Sequence, residues 1–555
     1  MVYNVLMEKD MTNASDVFVK CLETEGVEYI FGVPGEENLT FLEAIRNSKI
    51  KFITTRHEQS AVFMASTFGR LTGKVGVALS TLGPGATNLM TGVAYAELAG
   101  IPLLVITGQK PIKKSKQGKF QIIDVVKMMK PVTKFSETIV SGDRIPSMVT
   151  EAISLAEGER PGAVHLELPE DIALEECDAE PIPFYKVRRP VADEKAIDIA
   201  LREIENSKSP MIVVASGGNR KLVRKQLKTF LDKTGIPFVT TQMGKGVEDE
   251  NSSLYIGTTA LSDGDYMHQA LKASDLIIMI GHDVSEKPPI VLDGKTHKVI
   301  HVNFYPATVD TVYVPMHEVI GDISHTLWAF SEKIKINPKW DFDFIFKIRE
   351  LLNADIEKFG DAEDFPLRPE RIVSDIQKVL PNDGILALDN GMYKIWVARN
   401  FKSHEQNSVL LDNALATMGA GLPSGIATKI LYPDKKVLVV AGDGGIMMSI
   451  AELETAIRLK INLVVLIIND SGFGMIRWKQ KNMQLEEFAL SFNNPDFVKL
   501  AESFGAYGYE VKNADELAPL LEKTLSSSGV HIINCPTSYE AANEVLGNIK
   551  NIKII

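Results

Sequence analysis

The chain is 555 residues long, with 45% apolar and 24% charged residues and a formal net charge of -12. Such a length outgrows a single hydrophobic core and leads us to expect three domains, while the composition excludes a disordered chain. The acidic balance excludes a basic surface for phosphate backbones, so nucleic acid is set aside as a partner and small molecules are expected instead. The opening stretch MVYNVLMEKDMTNASD has no long apolar run, and no segment approaches the roughly 20 apolar residues that a membrane-spanning helix needs. Neither a targeting segment nor a membrane is expected. Cys21, Cys177 and Cys535 lie far apart, which argues against disulfides and a zinc site and points to the reducing cytoplasm.

From about Asn13 to Ile172, short apolar runs alternate with helix-like stretches. EYIFGVPG, KFITTR, VGVALSTLGPG, PLLVITG and AVHLELPED read as strands, several closed by glycine or proline. This α/β rhythm defines an expected first domain over 12–178. DAEPIPFYKVRRPVADE then reads as a linker, because its prolines break regular structure and it offers little to bury. PMIVVASGG, IPFVTTQMG, DLIIMIGHD and KVIHVNF repeat the alternation over 191–335, ending in the helix-like GDISHTLWAF. A polar stretch with prolines, from NPKWDFDF to FPLRPE, precedes a third series over 366–545. Its strands are GILALDNG, KVLVVAGDGG, NLVVLIINDSG and VHIINCP. The expected fold class is therefore α/β, three doubly wound parallel-sheet domains. There is no short internal repeat, so kinship among the sheets must be structural.

Within TTRHEQS, residues 54–60, an extended run gives way to a helix, and Glu58 reads first as an acidic residue at the positive end of a helix dipole. The third series carries a sharper signal. KVLVVA runs into Gly442, Asp443, Gly444 and Gly445 and then into a helix, where backbone amides can approach a phosphate closely. Asp443 has the wrong charge for that ligand unless a divalent cation lies between, since hard cations share carboxylate and phosphate oxygens. A second oxygen ligand should follow, and NLVVLIIND ends in Asn469 and Asp470, 470 − 443 = 27 positions on, room for one helix and one strand. The glycine-rich SGFGM after it lets the carbonyl of Gly472 turn inward as a third ligand.

Together, GDG and the Asn-Asp pair at this interval resemble the thiamine diphosphate motif. FGVPGEENL, TTRHEQSAVFMA and STLGPGATNLMTG resemble the pyrimidine-binding domain of the acetolactate synthase (acetohydroxyacid synthase large subunit) and 2-oxo acid decarboxylase family, and the resemblance covers nearly the whole chain. It implies thiamine diphosphate and Mg²⁺, the metal on Asp443, Asp470 and Gly472. The implied cofactor-binding residues are Pro34, Glu58, Thr81, Asn88, Gly391, Met392, Met418, Gly442, Asp443, Gly444, Gly445, Asp470, Gly472, Phe473, Gly474 and Met475. Glu58 matches the glutamate that hydrogen-bonds the aminopyrimidine ring, on a cofactor held by another subunit, and so favours the tautomer whose 4′ nitrogen takes the thiazolium C2 proton. Met418 in NALATMGAGLPSG matches the methionine beneath the folded cofactor. The implied assembly is a homodimer or homotetramer, with a possible regulatory subunit.

The chain contains no His-His dipeptide of the kind that simple decarboxylases of the family carry. The resemblance thus favours an acetolactate synthase that decarboxylates pyruvate and ligates the hydroxyethyl enamine to a second 2-oxo acid, in branched-chain amino acid biosynthesis or in a catabolic role. KFQIID resembles the AFQE stretch and puts Phe120 and Gln121 near the reacting carbon; Lys287 in GHDVSEKPP takes the place of an arginine that binds the second carboxylate. GMIRWKQ puts Lys479 where the biosynthetic enzymes have a specificity tryptophan, with Trp478 one earlier, and LPED puts Glu170 in place of a lysine. SGGNR and TQMGKG match flavin-binding segments only in part and GTTALSDG does not match, so FAD is expected to be absent. The alternatives are a related decarboxylase or lyase on another 2-oxo acid, and a flavin-dependent pyruvate oxidase.

Overall fold

The computed structural model describes residues 12–113, 118–184, 189–261 and 263–540. Residues 1–11, 185–188 of the linker, Ser262 of GTTALSDG and 541–545 of the third expected domain lie outside the described residues. The chain divides into two compact units, Met1–Val187 and Arg188–Ile555.

The first unit holds one sheet: β1 (Tyr29–Gly32), β2 (Lys51–Thr54), β3 (Gly76–Ser80), β4 (Leu103–Gln109), β5 (Phe135–Thr138) and β6 (Ala163–Pro169). All are parallel, in the order β2-β1-β3-β4-β6-β5. The central strands are buried along their whole length, because helices cover both faces of a parallel sheet, and this makes LLVITGQ and AVHLELP legible as apolar runs. On one face, Phe18 and Leu22 of the helix Ala14–Thr24 pack with Phe41, Ile30, Val77, Leu104 and Val164.

The second unit holds two sheets. β7 (Pro210–Val214), β8 (Phe238–Thr241), β9 (Tyr255–Thr259), β10 (Leu276–Ile280), β11 (Lys298–Asn303) and β12 (His317–Ile320) lie in the order β12-β11-β10-β7-β8-β9, the dinucleotide-fold arrangement. β13 (Ile385–Leu388), β14 (Val409–Leu410), β15 (Val437–Gly442), β16 (Leu463–Asn469), β17 (Tyr507–Glu510) and β18 (Val530–Pro536) lie as β14-β13-β15-β16-β18-β17. Counted along each sheet, this repeats the order of the first sheet, so the kinship that no sequence repeat revealed is one of topology. In both, the strand order reverses between the first and third strands. The crevice at the carboxyl ends of β13 and β15 is therefore where a doubly wound sheet receives a ligand.

Two buried ion pairs tie the halves of this unit together. Arg399 reaches Asp265 at 2.9 Å and Asp355 at 2.7 Å. Lys245 and Glu250, almost wholly buried, meet at 2.6 Å, and Glu250 also accepts from the Ser403 amide at 2.9 Å. The stretch read as a polar spacer before the third sheet instead carries a 15-residue helix, Asp343–Glu357, with Ile345, Ile348 and Leu352 buried. Its apolar stripe is only three residues wide and packs beside Ile256 of β9 and Met267 of the helix Tyr266–Ala273.

Candidate cofactor site

β15 ends at Gly442 and turns into the short helix Asp443–Met447; β16, paired with it in parallel, ends at Asn469. Adjacent strand ends thus bring Asp443 and Asp470 together, as their spacing requires. The helix expected after GDGG is split in two, Asp443–Met447 and Glu452–Arg458. Asp443, 1% exposed, accepts from Asn494 Nδ2 at 2.7 Å and from the Gly444 amide at 2.8 Å. Burial raises its pKa, and Asn494 opposes the rise. Asp470 is pushed up to about 7 by burial and then by the charge of Asp443, against the pull of Arg477, whose Nη1 lies 3.2 Å away. Two buried carboxylates in electrostatic conflict form a donor set that a divalent cation relieves. Among the described residues no three His, Cys, Asp or Glu side chains converge on a metal, so a third oxygen ligand would have to be a backbone carbonyl or an amide side chain such as that of Asn469 or Asn494.

A cavity of about 270 Å³ opens beside these carboxylates. It is lined by Gly391, Met392, Met418, Gly442, Asp443, Gly444, Gly445, Asp470, Gly472, Phe473, Gly474 and Met475, which are all the predicted positions of the third series. The glycines are required by close approach. A Cβ on Gly445 would stand 2.8 Å from the Asp389 carboxylate, one on Gly474 2.7 Å from Asp470 Oδ2, and one on Gly472 2.3 Å from Arg477 Nη2. Met418 reaches across, its Cε 3.4 Å from where a Cβ on Gly444 would be. Glycine backbone on one wall and a flexible thioether on the other make a cradle that suits a diphosphate joined to an apolar ring.

Asn390, Tyr393, Lys394, Ala416, Ile476 and Tyr539 also line the cavity and were missed. Asn390, Tyr393 and Lys394 flank the predicted Gly391 and Met392, which was the available signal; Tyr539 arrives after β18 and carries none. Asp389 was missed as well. Its carboxylate, pushed up to about 6 by burial against the amides that it accepts from, holds Asn390 N at 2.7 Å and Gly419 N at 2.8 Å.

The remaining predicted residues lie elsewhere. In the first unit, Glu58 begins the helix Glu58–Thr72, with His57 as its N-cap, so the helix-start reading of TTRHEQS holds beside any chemical one. Glu58 Oε2 accepts from Asn88 Nδ2 at 2.9 Å. A Cβ on Gly85 would stand 3.3 Å from Glu58 Oε1 and 2.9 Å from Thr81 Cγ2, so Glu58, Thr81 and Asn88 share one neighbourhood that a glycine keeps open. Thr81 donates to Glu37, and Gly35, next to the exposed Pro34, packs on Thr81. Phe120 and Gln121 occupy an exposed turn beside Gly83, Phe120 at 67% exposure and Gln121 in the left-handed region at φ 57°. Lys287 lies exposed in the loop after β10 and is not among the residues lining the cavity.

Models of three domains match the chain: thiamine pyrophosphate enzyme, N-terminal TPP binding domain, over residues 12–128; central domain, over 197–330; and C-terminal TPP binding domain, over 389–535. The chain is 31% identical over 559 residues to the catabolic acetolactate synthase of Raoultella terrigena, covering 99% of each. It is 31% identical to the acetolactate synthase of Bacillus subtilis (95% of this chain, 93% of that one) and 33% identical to a probable acetolactate synthase large subunit of Methanocaldococcus jannaschii (94% and 91%). The chain belongs to the acetolactate synthase family of thiamine pyrophosphate enzymes. Membership makes it an enzyme of the thiamine diphosphate-dependent carboligase type and assigns thiamine diphosphate as its cofactor. Among the described residues no helix is long and apolar enough to cross a membrane.

Proposed function

We propose that this enzyme is an acetolactate synthase that decarboxylates pyruvate and joins the resulting two-carbon unit to a second 2-oxo acid. The observation that supports this most is the convergence of the glycine turn, Met418 and two buried carboxylates on one cavity. When bound, thiamine diphosphate supplies the electron sink for decarboxylation and for carbon transfer. Asp443, Asp470 and the Gly472 carbonyl would hold Mg²⁺, which would neutralise diphosphate charge, and Met418 would support the ring system. Glu58, oriented by Asn88, holds a proton at the pyrimidine nitrogen, and Gly85 keeps the approach to it clear. Lys287 remains the candidate for the acceptor carboxylate, with Phe120 and Gln121 at the reacting carbon.

The reading extends to a homodimer or homotetramer in the cytoplasm, organised as domains 12–178, 191–335 and 366–545. A regulatory subunit is part of it because some relatives are named as large subunits. The enzyme is read as flavin-free. At the strand-order reversal of the central sheet, between β10 and β7, Gly217 N donates to Gly281 O at 2.9 Å and the two loops close on each other. The buried Glu286 carboxylate accepts from Ser216 N at 2.9 Å and Thr241 Oγ1 at 2.6 Å. Donors that could meet a dinucleotide phosphate are thus committed to the internal Glu286 carboxyl group.

The test is incubation of purified enzyme with pyruvate, Mg²⁺ and thiamine diphosphate, with acetolactate, acetaldehyde and residual pyruvate quantified. Acetolactate as the main product is expected. Acetaldehyde as the main product would make the enzyme a decarboxylase, and colourless protein with undiminished activity is the expected flavin result.

A further inference from the structure

Lys394 opens the helix Lys394–Asn400 and breaks two local rules. A cation at a helix N-terminus faces the positive end of the dipole, and an ammonium 8% exposed has lost most of its water. Burial draws its pKa down to about 8. Sequences that fold reliably break such rules mainly where a site demands it. Among the described residues lining the cavity, Lys394 is the one cationic side chain.

Three oxygens hold the ammonium: Asn390 Oδ1 at 2.6 Å, the Asp412 carbonyl at 2.9 Å and Asn413 Oδ1 at 3.1 Å. Occupying the oxygen of Asn390 leaves its Nδ2 to donate to the Thr417 carbonyl at 2.8 Å. The Asp412 carboxylate accepts from Ala414 N and Ala416 N, and Ala416 sits at φ 55°, a strained value for a residue with a Cβ. At the far end Gly419 N donates to Asp389. The loop from Asp412 to Gly419 thus hangs from Lys394, from Asn390 and from Asp389, and Met418 is its side chain facing the Gly442–Gly445 turn.

We propose that Lys394 is a positioning residue of the cofactor site, its ammonium clamping the Asp412–Gly419 loop so that Met418 stands at the height over the glycine turn that receives thiamine diphosphate. The proposal rests on the thiamine diphosphate reading of this cavity and is independent of which product the enzyme makes. Lys394→Met keeps the volume and removes the charge, so the Asn390 amide loses its fixed orientation and the loop loses two anchors.

The experiment is equilibrium binding of thiamine diphosphate to the full chain at saturating Mg²⁺, read from tryptophan fluorescence, with buried Trp396 two residues from the substitution. Wild type, Lys394→Met, Met418→Ala and the double variant form a cycle. Lys394→Met is expected to weaken binding about 30-fold and Met418→Ala about tenfold, with the double variant near the larger single loss rather than the product, because both act through one loop. Wild-type affinity in Lys394→Met, or losses that multiply, would overturn the proposal. Should Lys394→Met fail to fold, Lys394→Gln takes its place in the same cycle with the same two criteria. Wild type that binds the cofactor and forms no acetolactate would refute the proposed reaction while leaving this test intact. Wild type without affinity for the cofactor would overturn both.

Discussion

Asp470→Asn removes a charge and little else, and its consequences are calculable. The Asp470 carboxyl, 10% exposed, is pushed from 3.8 to about 7 by burial and by Asp443, with Arg477 opposing. A carboxylate whose folded pKa lies above its unfolded value favours the folded state most below the unfolded pKa, and this contribution is lost as pH rises through the folded one. The window here runs from about 4 to about 7. At about 1.4 kcal/mol per pH unit, the cofactor-free protein carries roughly 4 kcal/mol of strain at pH 8. Asparagine keeps the shape without the charge, and the pull of Arg477 is already contained in that net figure. Cofactor-free Asp470→Asn should therefore exceed wild type by roughly 4 kcal/mol at pH 8 and match it near pH 4. Metal binding has to displace the same proton, so the apparent Mg²⁺ affinity of wild type should fall about tenfold per pH unit below 7, some 100-fold between pH 7 and pH 5. The slope should be shallower by that amount in the variant. Urea unfolding of the cofactor-free protein at both pH values and Mg²⁺ titration at fixed thiamine diphosphate measure the two effects. Equal pH dependence in the two proteins would refute the electrostatic conflict between Asp443 and Asp470.

Glu58→Gln should bind thiamine diphosphate within about threefold of wild type and lose turnover at least 100-fold, since an amide cannot hold the proton; kcat measured beside cofactor affinity decides it, and an active variant sinks the role of Glu58. Gly445→Ala places a Cβ 2.8 Å from the Asp389 carboxylate and should displace the turn, costing about tenfold or more in cofactor affinity while leaving the far-UV dichroism unchanged. Lys245→Met strands Glu250 in the interior and should destabilise the second unit by about 3–5 kcal/mol in urea unfolding, whereas Lys245→Met with Glu250→Leu should recover most of the loss. A single substitution without effect would show that water reaches Glu250.

Apart from the edge strand β2, read from KFITTR, the strands that could be read directly are the interior ones, most of them buried on both faces. β3, β4, β6, β7, β10, β15, β16 and β18 are runs of valine, leucine and isoleucine because helices cover both sides of each sheet. The five strands that escaped detection, β5, β9, β12, β14 and β17, all lie at sheet edges. FSET, HEVI and YGYE are half-exposed, YIGTT is interrupted by Gly257, and Val409–Leu410 is two residues long. An edge strand pairs on one side only, so selection for apolar side chains is weak and polar ones protect it from further pairing. Edge strands also lie away from the central crevice, so these omissions did not disturb the site.

The site was legible for a different reason. Glycines and acids at the ends of neighbouring parallel strands can be counted along the chain, since one helix and one strand separate Asp443 from Asp470. Lys394, Asp389, Asn494 and Tyr539 obey no such interval; their roles follow from partners that only the fold brings near. Trp478 shows how little spacing alone says about a side chain's surroundings. Its position beside Lys479 drew attention as a shifted specificity residue, yet its ring packs against the core of the third sheet while Lys479 is exposed. An indole one position early on a helix points about 100° away from its neighbour. Such a shift gives the two side chains different surroundings, the tryptophan between core and cavity wall and the lysine in solvent. For that reason acceptor preference in this enzyme is best tested by substituting Trp478 and Arg477, which line one cavity with Asp470.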